Sequence, residues 1–242
     1  MANYTYREMA RMIDHSLLTP TMTTDALEEG CRVALAYDVA SVCIMPYYLR
    51  RCSDVLRGSG VKATTTIGFP HGNDSTVMKV AEVDQALSDG AEELDMVVNI
   101  SKVLSGDWKY VSDEIRAICD ATHSGHAKLK VIFENCYLND QQKIRLCQIS
   151  TDAGVDWVKT STGYGSGGCI MDDLRLMRKH AGPNVQVKAA GGVRDFDTLL
   201  QVRELGATRC GATRTQTMLD ECRKRLGMEP IIIAAAHANS GY

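Results

Sequence analysis

The sequence is narrowed first by what it lacks. No run of apolar residues is long enough to cross a bilayer, and the N-terminal stretch has no secretory signal, so neither a membrane-embedded nor an exported protein is expected. Positive charge is not in surplus. The 27 Lys and Arg against 30 Asp and Glu leave a formal net charge of −3, whereas nucleic acids and anionic membrane surfaces call for a concentrated basic face. No Pro-, Ser- or Gly-rich linker and no charge block divides the 242 residues, which predicts one domain over 1–242 with a tail from about 230. The nine cysteines include no Cys-x-x-Cys pair and no Cys/His set at zinc spacing, and the six histidines do not converge, so no metal centre is expected. An odd number of thiols, used as small core residues, fits a reducing compartment, with the cytoplasm as the expected location.

What is present is an alternation. Strand-like runs fall at 12–16, 39–45, 61–67, 92–99, 129–134, 155–159, 185–189 and 207–211. Helical patterns follow them at 24–38, 46–56, 73–88, 108–122, 139–153, 171–180, 195–205 and from the eighth strand to about 226. Eight strand–helix units in this length predict a TIM (β/α)8 barrel, with an open doubly wound sheet as the alternative. Side chains alternate between the two faces of a strand. Leu94, Met96 and Val98 therefore oppose Glu93, Asp95 and Asn99; Leu129, Val131 and Phe133 oppose Lys130 and Glu134; Val185, Val187 and Ala189 oppose Gln186 and Lys188. The apolar face suits packing on helices. Charge on the inner face of a barrel is tolerated near its C-terminal end, where active sites of this fold lie, so the polar face marks a site.

The stretch from Val155 to Gly163 reads as a short buried strand that ends in Lys159 and breaks into a loop of hydroxyls and glycines. A lysine placed there suits nucleophilic chemistry, and a solvated strand edge is the ordinary alternative. The following Gly163-Tyr164-Gly165-Ser166-Gly167-Gly168 contains G-x-G-x-x-G between a strand and a helix. A dinucleotide site wants an acidic residue about 20 positions on. This chain has Lys188 near that point, so the loop is expected to wrap a phosphate or cover the barrel mouth.

The segments Ile13-Asp14-His15-Ser16-Leu17-Leu18, Ser41-Val42-Cys43-Ile44, Thr66-Ile67-Gly68-Phe69-Pro70 and Glu93-Leu94-Asp95-Met96-Val97-Val98-Asn99 resemble those of the deoxyribose-phosphate aldolase family. So do Leu129-Lys130-Val131-Ile132-Phe133-Glu134, Val158-Lys159-Thr160-Ser161-Thr162-Gly163 and Val187-Lys188-Ala189-Ala190-Gly191-Gly192-Val193-Arg194, in the same order along nearly the whole chain. The resemblance implies reversible cleavage of 2-deoxy-D-ribose 5-phosphate to acetaldehyde and D-glyceraldehyde 3-phosphate. It implies Lys159 as the Schiff-base lysine, Lys188 as the lysine that adjusts it, and Asp95 as their partner in proton transfer. No cofactor or metal is implied, because the iminium is itself the electron sink. The physics agrees: an amine attacks a carbonyl only when neutral, and a free lysine, with a pKa of about 10.4, must be shifted down by burial or a neighbouring cation.

Beyond these three, Asp14, Ser16, Cys43, Thr160, Gly163 and Tyr164 are expected in the wall of the substrate site, and Gly191, Gly192, Arg194, Gly211, Thr213 and Arg214 around the phosphate. Each has a plainer reading. Lys188 can serve only to neutralise a phosphate, Lys130 is an inward-facing rival for Asp95, and Cys43 suits a small wall residue better than a nucleophile. After the eighth strand the chain has Gly211-Ala212-Thr213-Arg214 where the family typically has two serines, so Arg214 either adds a contact to the phosphate, reshapes the pocket for another substrate, or is the exposed first turn of the last helix. Glu134-Asn135-Cys136 departs from the family's usual Glu-Thr. Tyr242 matches the terminal tyrosine with which some members assist proton transfer, with a disordered tail as the alternative. Two other readings stay open: a class I aldolase with a different acceptor aldehyde, and a non-catalytic sugar-phosphate binder, against which the retained lysines and aspartate speak. Oligomeric state is not legible in the residues; the resemblance implies a homodimer.

Overall fold

Strands β1 (Ile13–Leu17), β2 (Ser41–Ile44), β3 (Lys62–Ile67), β4 (Glu93–Val97), β5 (Lys128–Ile132), β6 (Trp157–Lys159), β7 (Gln186–Ala190) and β8 (Ala207–Ala212) each pair in parallel with the next, and β8 closes on β1. The computed structural model describes residues 3–233, so Tyr242 and most of the expected tail lie outside the described residues. Closure of the sheet makes the architecture a TIM barrel and removes the open-sheet alternative. Around it run α1 (Tyr6–Ala10), α2 (Thr24–Ala36), α3 (Leu49–Leu56), α4 (Thr76–Ser88), α5 (Ile100–Leu104), α6 (Trp108–Ser124), α7 (Asp140–Ala153), α8 (Met171–His180), α9 (Phe196–Glu204) and α10 (Thr215–Arg225).

Local chemistry fixes the boundaries. Helix α7 starts at a capping box, in which Asn139 accepts from Gln142 N while the Gln142 side chain accepts from Asn139 N, and it stops at Gly154, whose φ of 76° is left-handed. In α6, Val111, Ile115, Ile118, Cys119 and Thr122 form one buried stripe at helical spacing. Each large aliphatic side chain buried in such a stripe contributes about 1.5–3 kcal/mol. Leu94, Met96, Leu129, Val131, Val187 and Ala189 are all fully buried, as their apolar strand face predicts.

The structure shortens several expected elements. The fourth strand ends at Val97, because Asn99 turns away to cap α5, its side chain accepting from Lys102 N at 3.1 Å. The helix expected from residue 73 begins at Thr76, after Ser75, which accepts from Met78 N. Residues 46–56 divide into a 3-10 turn at Pro46–Tyr48 followed by α3. The fifth strand stops at Ile132, and Glu134 has a left-handed backbone with φ 56°. Helices α1 and α5, five residues each, were not expected from the sequence.

Candidate active site

Lys159, Lys188 and Arg209 are Cα partners in one row across β6, β7 and β8. Neighbouring strands stand about 4.8 Å apart, so three long cationic side chains start side by side on the inner face of the barrel. Three carboxylates meet them from the other strands. Asp95 on β4 accepts from Lys159 Nζ and Lys188 Nζ on the same oxygen, Oδ2, each at 2.7 Å, and from Lys130 Nζ on Oδ1 at 2.8 Å. Lys130 Nζ also lies 2.6 Å from Glu93 Oε2 and 3.6 Å from Asp14 Oδ2. Lys188 Nζ lies 2.5 Å from Asp14 Oδ2, and Arg209 bridges Asp14 Oδ1 at 2.5 Å and the Glu93 carboxylate at 2.8 and 3.0 Å. All these groups are buried or nearly so, Arg209 being the most exposed with 13% of its side chain accessible.

Electrostatics separates the three lysines. The pKa of Lys159 is lowered: burial is the largest cause, and the charge of Lys188 acts in the same direction against the upward pull of Asp95. The charge of Lys188 thus acts on Lys159 in the expected direction, but behind burial. Burial also disfavours charge on Lys188, yet Asp14 and Asp95 outweigh it and its pKa is raised; Lys130 is raised in the same way by Asp95, Glu93 and Asp14. Asp95, which burial alone would push up, is held well below the usual carboxylate range by Lys130, Lys159 and Lys188. Lys130 and the two expected lysines thus share Asp95 and do not compete for it.

Above this network, at the C-terminal end of the barrel, is a cavity of about 370 Å³. Of the three lysines only Lys159 lines it, at 3% exposure, while Lys130 and Lys188 are wholly covered. Ser16, Gly163, Tyr164, Gly191, Gly192, Arg194, Gly211 and Thr213 line the same cavity, as expected. Tyr164 reaches over the mouth: its hydroxyl donates to Leu18 O at 2.6 Å, and its ring meets Phe69 edge-on at 5.5 Å. The glycine-rich loop is explained by contact with its neighbour. Cys169 N donates to Ala190 O and Gly191 O, and a Cβ at Gly168 would sit 2.5 Å from Gly191 O, so only glycine permits this approach.

Asp14, Cys43, Thr160 and Arg214 were expected against substrate and do not line the cavity. Asp14 lies beneath it, engaged by Lys188 and Arg209. Cys43 is 1% exposed, and burial raises its thiol to about 11, which suits a small inert filler. The Thr160 hydroxyl is committed to Ala190, donating to its O at 3.1 Å and accepting from its N at 3.0 Å, and so ties the end of β6 to β7. Arg214 is exposed at the start of α10, beside the cavity-lining Thr213.

Three contributors were not assigned to the site: Glu93 and Glu134, named only as members of the polar strand faces, and Arg209. Arg209 follows the same alternation as Gly211 on β8, a signal the sequence carried. Glu134 accepts from Thr162 N at 3.2 and 3.3 Å and from the Thr162 hydroxyl, fixing the loop that follows Lys159; burial raises its pKa.

Residues 9–214 match the DeoC/LacD family aldolase. A deoxyribose-phosphate aldolase of Rhodopirellula baltica is 64% identical over 242 residues, covering all of both chains. That of Caldanaerobacter subterraneus subsp. tengcongensis is 43% identical over 218 residues, covering 90% of this chain and 94% of its own. Among solved structures, the tetrameric deoxyribose phosphate aldolase of Aeropyrum pernix superposes with a TM-score of 0.84 at 31% identity, covering 92% of this chain and 93% of its own. With a buried lysine at the floor of a barrel-mouth cavity and relatives matched along its whole length, the chain belongs to the DeoC/LacD family of aldolases.

Proposed function

We propose that this chain is a class I aldolase that reversibly cleaves 2-deoxy-D-ribose 5-phosphate to acetaldehyde and D-glyceraldehyde 3-phosphate, with Lys159 as the Schiff-base nucleophile. The observation that carries the reading is the position of Lys159, the one lysine of the buried network that opens onto the cavity and holds a single carboxylate oxygen. Its neutral amine adds to the aldehyde carbon of the open-chain sugar, and loss of water gives a protonated imine. A water in the cavity, backed by Asp95, takes the C3 hydroxyl proton as the C2–C3 bond breaks. The electron pair moves into the imine to form an enamine, and glyceraldehyde 3-phosphate departs. Protonation of the enamine carbon and hydrolysis release acetaldehyde and restore Lys159.

Asp95 faces three ammonium groups, which makes it a weak base. Its part is to hold Lys159 and Lys188 on one oxygen, so that a proton can pass between them and water in the cavity. The phosphate is assigned to the wall formed by Gly191, Gly192, Arg194 and Thr213, beside the start of α10, whose first turn has no side-chain cap to compete for its N–H groups. Proton transfer by Tyr242, a single domain, a homodimer and a cytoplasmic location belong to the same reading.

The test is a cleavage assay on 2-deoxyribose 5-phosphate and on 2-deoxyribose, with the acetaldehyde released from both detected by a coupled alcohol dehydrogenase. Cleavage is expected, with kcat/KM for unphosphorylated 2-deoxyribose lower by at least about a hundredfold, the value of two or three charge-assisted contacts. Absence of cleavage by folded protein contradicts the activity, and equal rates on the two sugars contradict the phosphate assignment.

A further inference from the structure

Arg209 stands one inward step below the cavity-lining Gly211 on β8, and its guanidinium carbon lies 5.0 Å from the centre of the Trp157 ring. It touches neither the cavity nor Lys159. Its partners are Asp14 and Glu93, and these two carboxylates also hold Lys188 and Lys130. The groups that face one another inside the barrel are Asp14 from β1, Glu93 and Asp95 from β4, Lys130 from β5, Lys159 from β6, Lys188 from β7 and Arg209 from β8, with the Cys43 thiol from β2. Glu134, beyond the end of β5, is hydrogen-bonded to Thr162; it also feels the charge of Lys159, but burial outweighs this and favours its neutral form, so it stands outside the set of charges.

Fully ionised, this interior holds four cations and three carboxylates. An uncompensated charge in a buried site is costly, and the ordinary remedy is loss of a proton. A guanidinium does not release one. Lys130 is near three carboxylates and Lys188 near two, whereas Lys159 has only Asp95 Oδ2, shared with Lys188. The least-held cation is therefore the one that opens onto the cavity.

We propose that Arg209 is a positioning residue for the aldolase chemistry: by binding Asp14 and Glu93 from below, it supplies the excess positive charge that makes Lys159 the lysine that gives up its proton. The inference rests on the reading of Lys159 as the Schiff-base nucleophile. Without Arg209 the interior balances, three lysines to three carboxylates, and Lys159 retains its proton. Without Glu93 the excess grows, and Lys159 loses its proton more readily. Removing both restores the original excess.

These signs set the experiment. The acidic limb of the kcat/KM profile for 2-deoxyribose 5-phosphate is measured in the full-length wild type, Arg209→Met, Glu93→Gln and the double variant, and acetaldehyde is trapped on Lys159 with borohydride in each. Arg209→Met is expected to move the limb up by about one pH unit or more, with trapping at neutral pH reduced about tenfold. Glu93→Gln is expected to move it down, and the double variant to bring it back towards the wild type. A folded Arg209→Met protein with an unmoved limb overturns the inference, as does a shift of both single variants in the same direction. Where circular dichroism shows that Arg209→Met does not fold, the downward shift of Glu93→Gln and its reversal in the double variant decide the matter. Absence of any wild-type adduct on Lys159 would instead count against the proposed function.

Discussion

Lys159 and Lys188 donate to the same oxygen of Asp95, each at 2.7 Å. Two ammonium groups on one acceptor repel each other, and only Lys188 has a second carboxylate, Asp14, to keep it charged. Replacing Lys188 with Leu removes that repulsion and leaves Asp95 to hold Lys159 more firmly. The expected result is an acidic limb of kcat/KM moved to higher pH and a loss of about a hundredfold or more at neutral pH. A pH–rate profile of the variant checks it; an unmoved limb would mean that burial alone sets the nucleophile.

Tyr164 spans the cavity mouth through its bond to Leu18 O. Tyr164→Phe keeps the edge-on contact with Phe69 and removes only the hydroxyl. One hydrogen bond of this kind is worth about 1 kcal/mol, so KM for the phosphorylated sugar should rise roughly fivefold with kcat little changed. Steady-state kinetics separates the two; a fall in kcat with constant KM would place the hydroxyl in the chemistry.

Glu134 anchors Thr162 by its backbone N–H and its hydroxyl, and the Thr162 hydroxyl in turn accepts from Tyr164 N at 3.0 Å. Glu134→Ala leaves a buried N–H without its acceptor, which should lower kcat/KM by about 2 kcal/mol, roughly thirtyfold. Glu134→Gln keeps an acceptor oxygen and should recover most of that loss. Kinetics of the two variants side by side tests the anchor, and an alanine variant as active as the wild type would refute it.

His15 is 6% exposed, its Nδ1 lies 2.7 Å from the Thr215 hydroxyl at the start of α10, and burial lowers its pKa to about 4. The unfolded chain, with a histidine near 6.5, binds the proton first on acidification. Stability linked to His15 is therefore complete above about pH 6.5 and falls as the pH drops towards 4, by up to about 3 kcal/mol. Urea titrations of the wild type and His15→Gln across that range measure it; equal slopes against pH would exclude His15 as the source.

The barrel was legible because eight short strand-like runs alternate with helical patterns, and because the alternation within strands puts apolar residues on one face and charge on the other. Strand ends were not legible. Asn99 and Glu134 continue the alternation, but one turns to cap a helix and the other adopts a left-handed backbone. Helix α1 is too short for periodicity to register, although its Thr5/Glu8 capping box was readable. The pairing of Arg209 with Glu93 joins residues 116 positions apart across the barrel interior, and periodicity says which face a side chain occupies but not which partner it meets there. Arg214 was ambiguous because the last residue of a loop and the cap of a helix look alike in sequence.

The most direct measurement is peptide mapping after borohydride reduction in the presence of acetaldehyde or 2-deoxyribose 5-phosphate. One ethyl adduct is expected, on Lys159, absent from Lys159→Ala. An adduct on Lys130 or Lys188, or none on folded protein, would contradict Lys159 as the nucleophile.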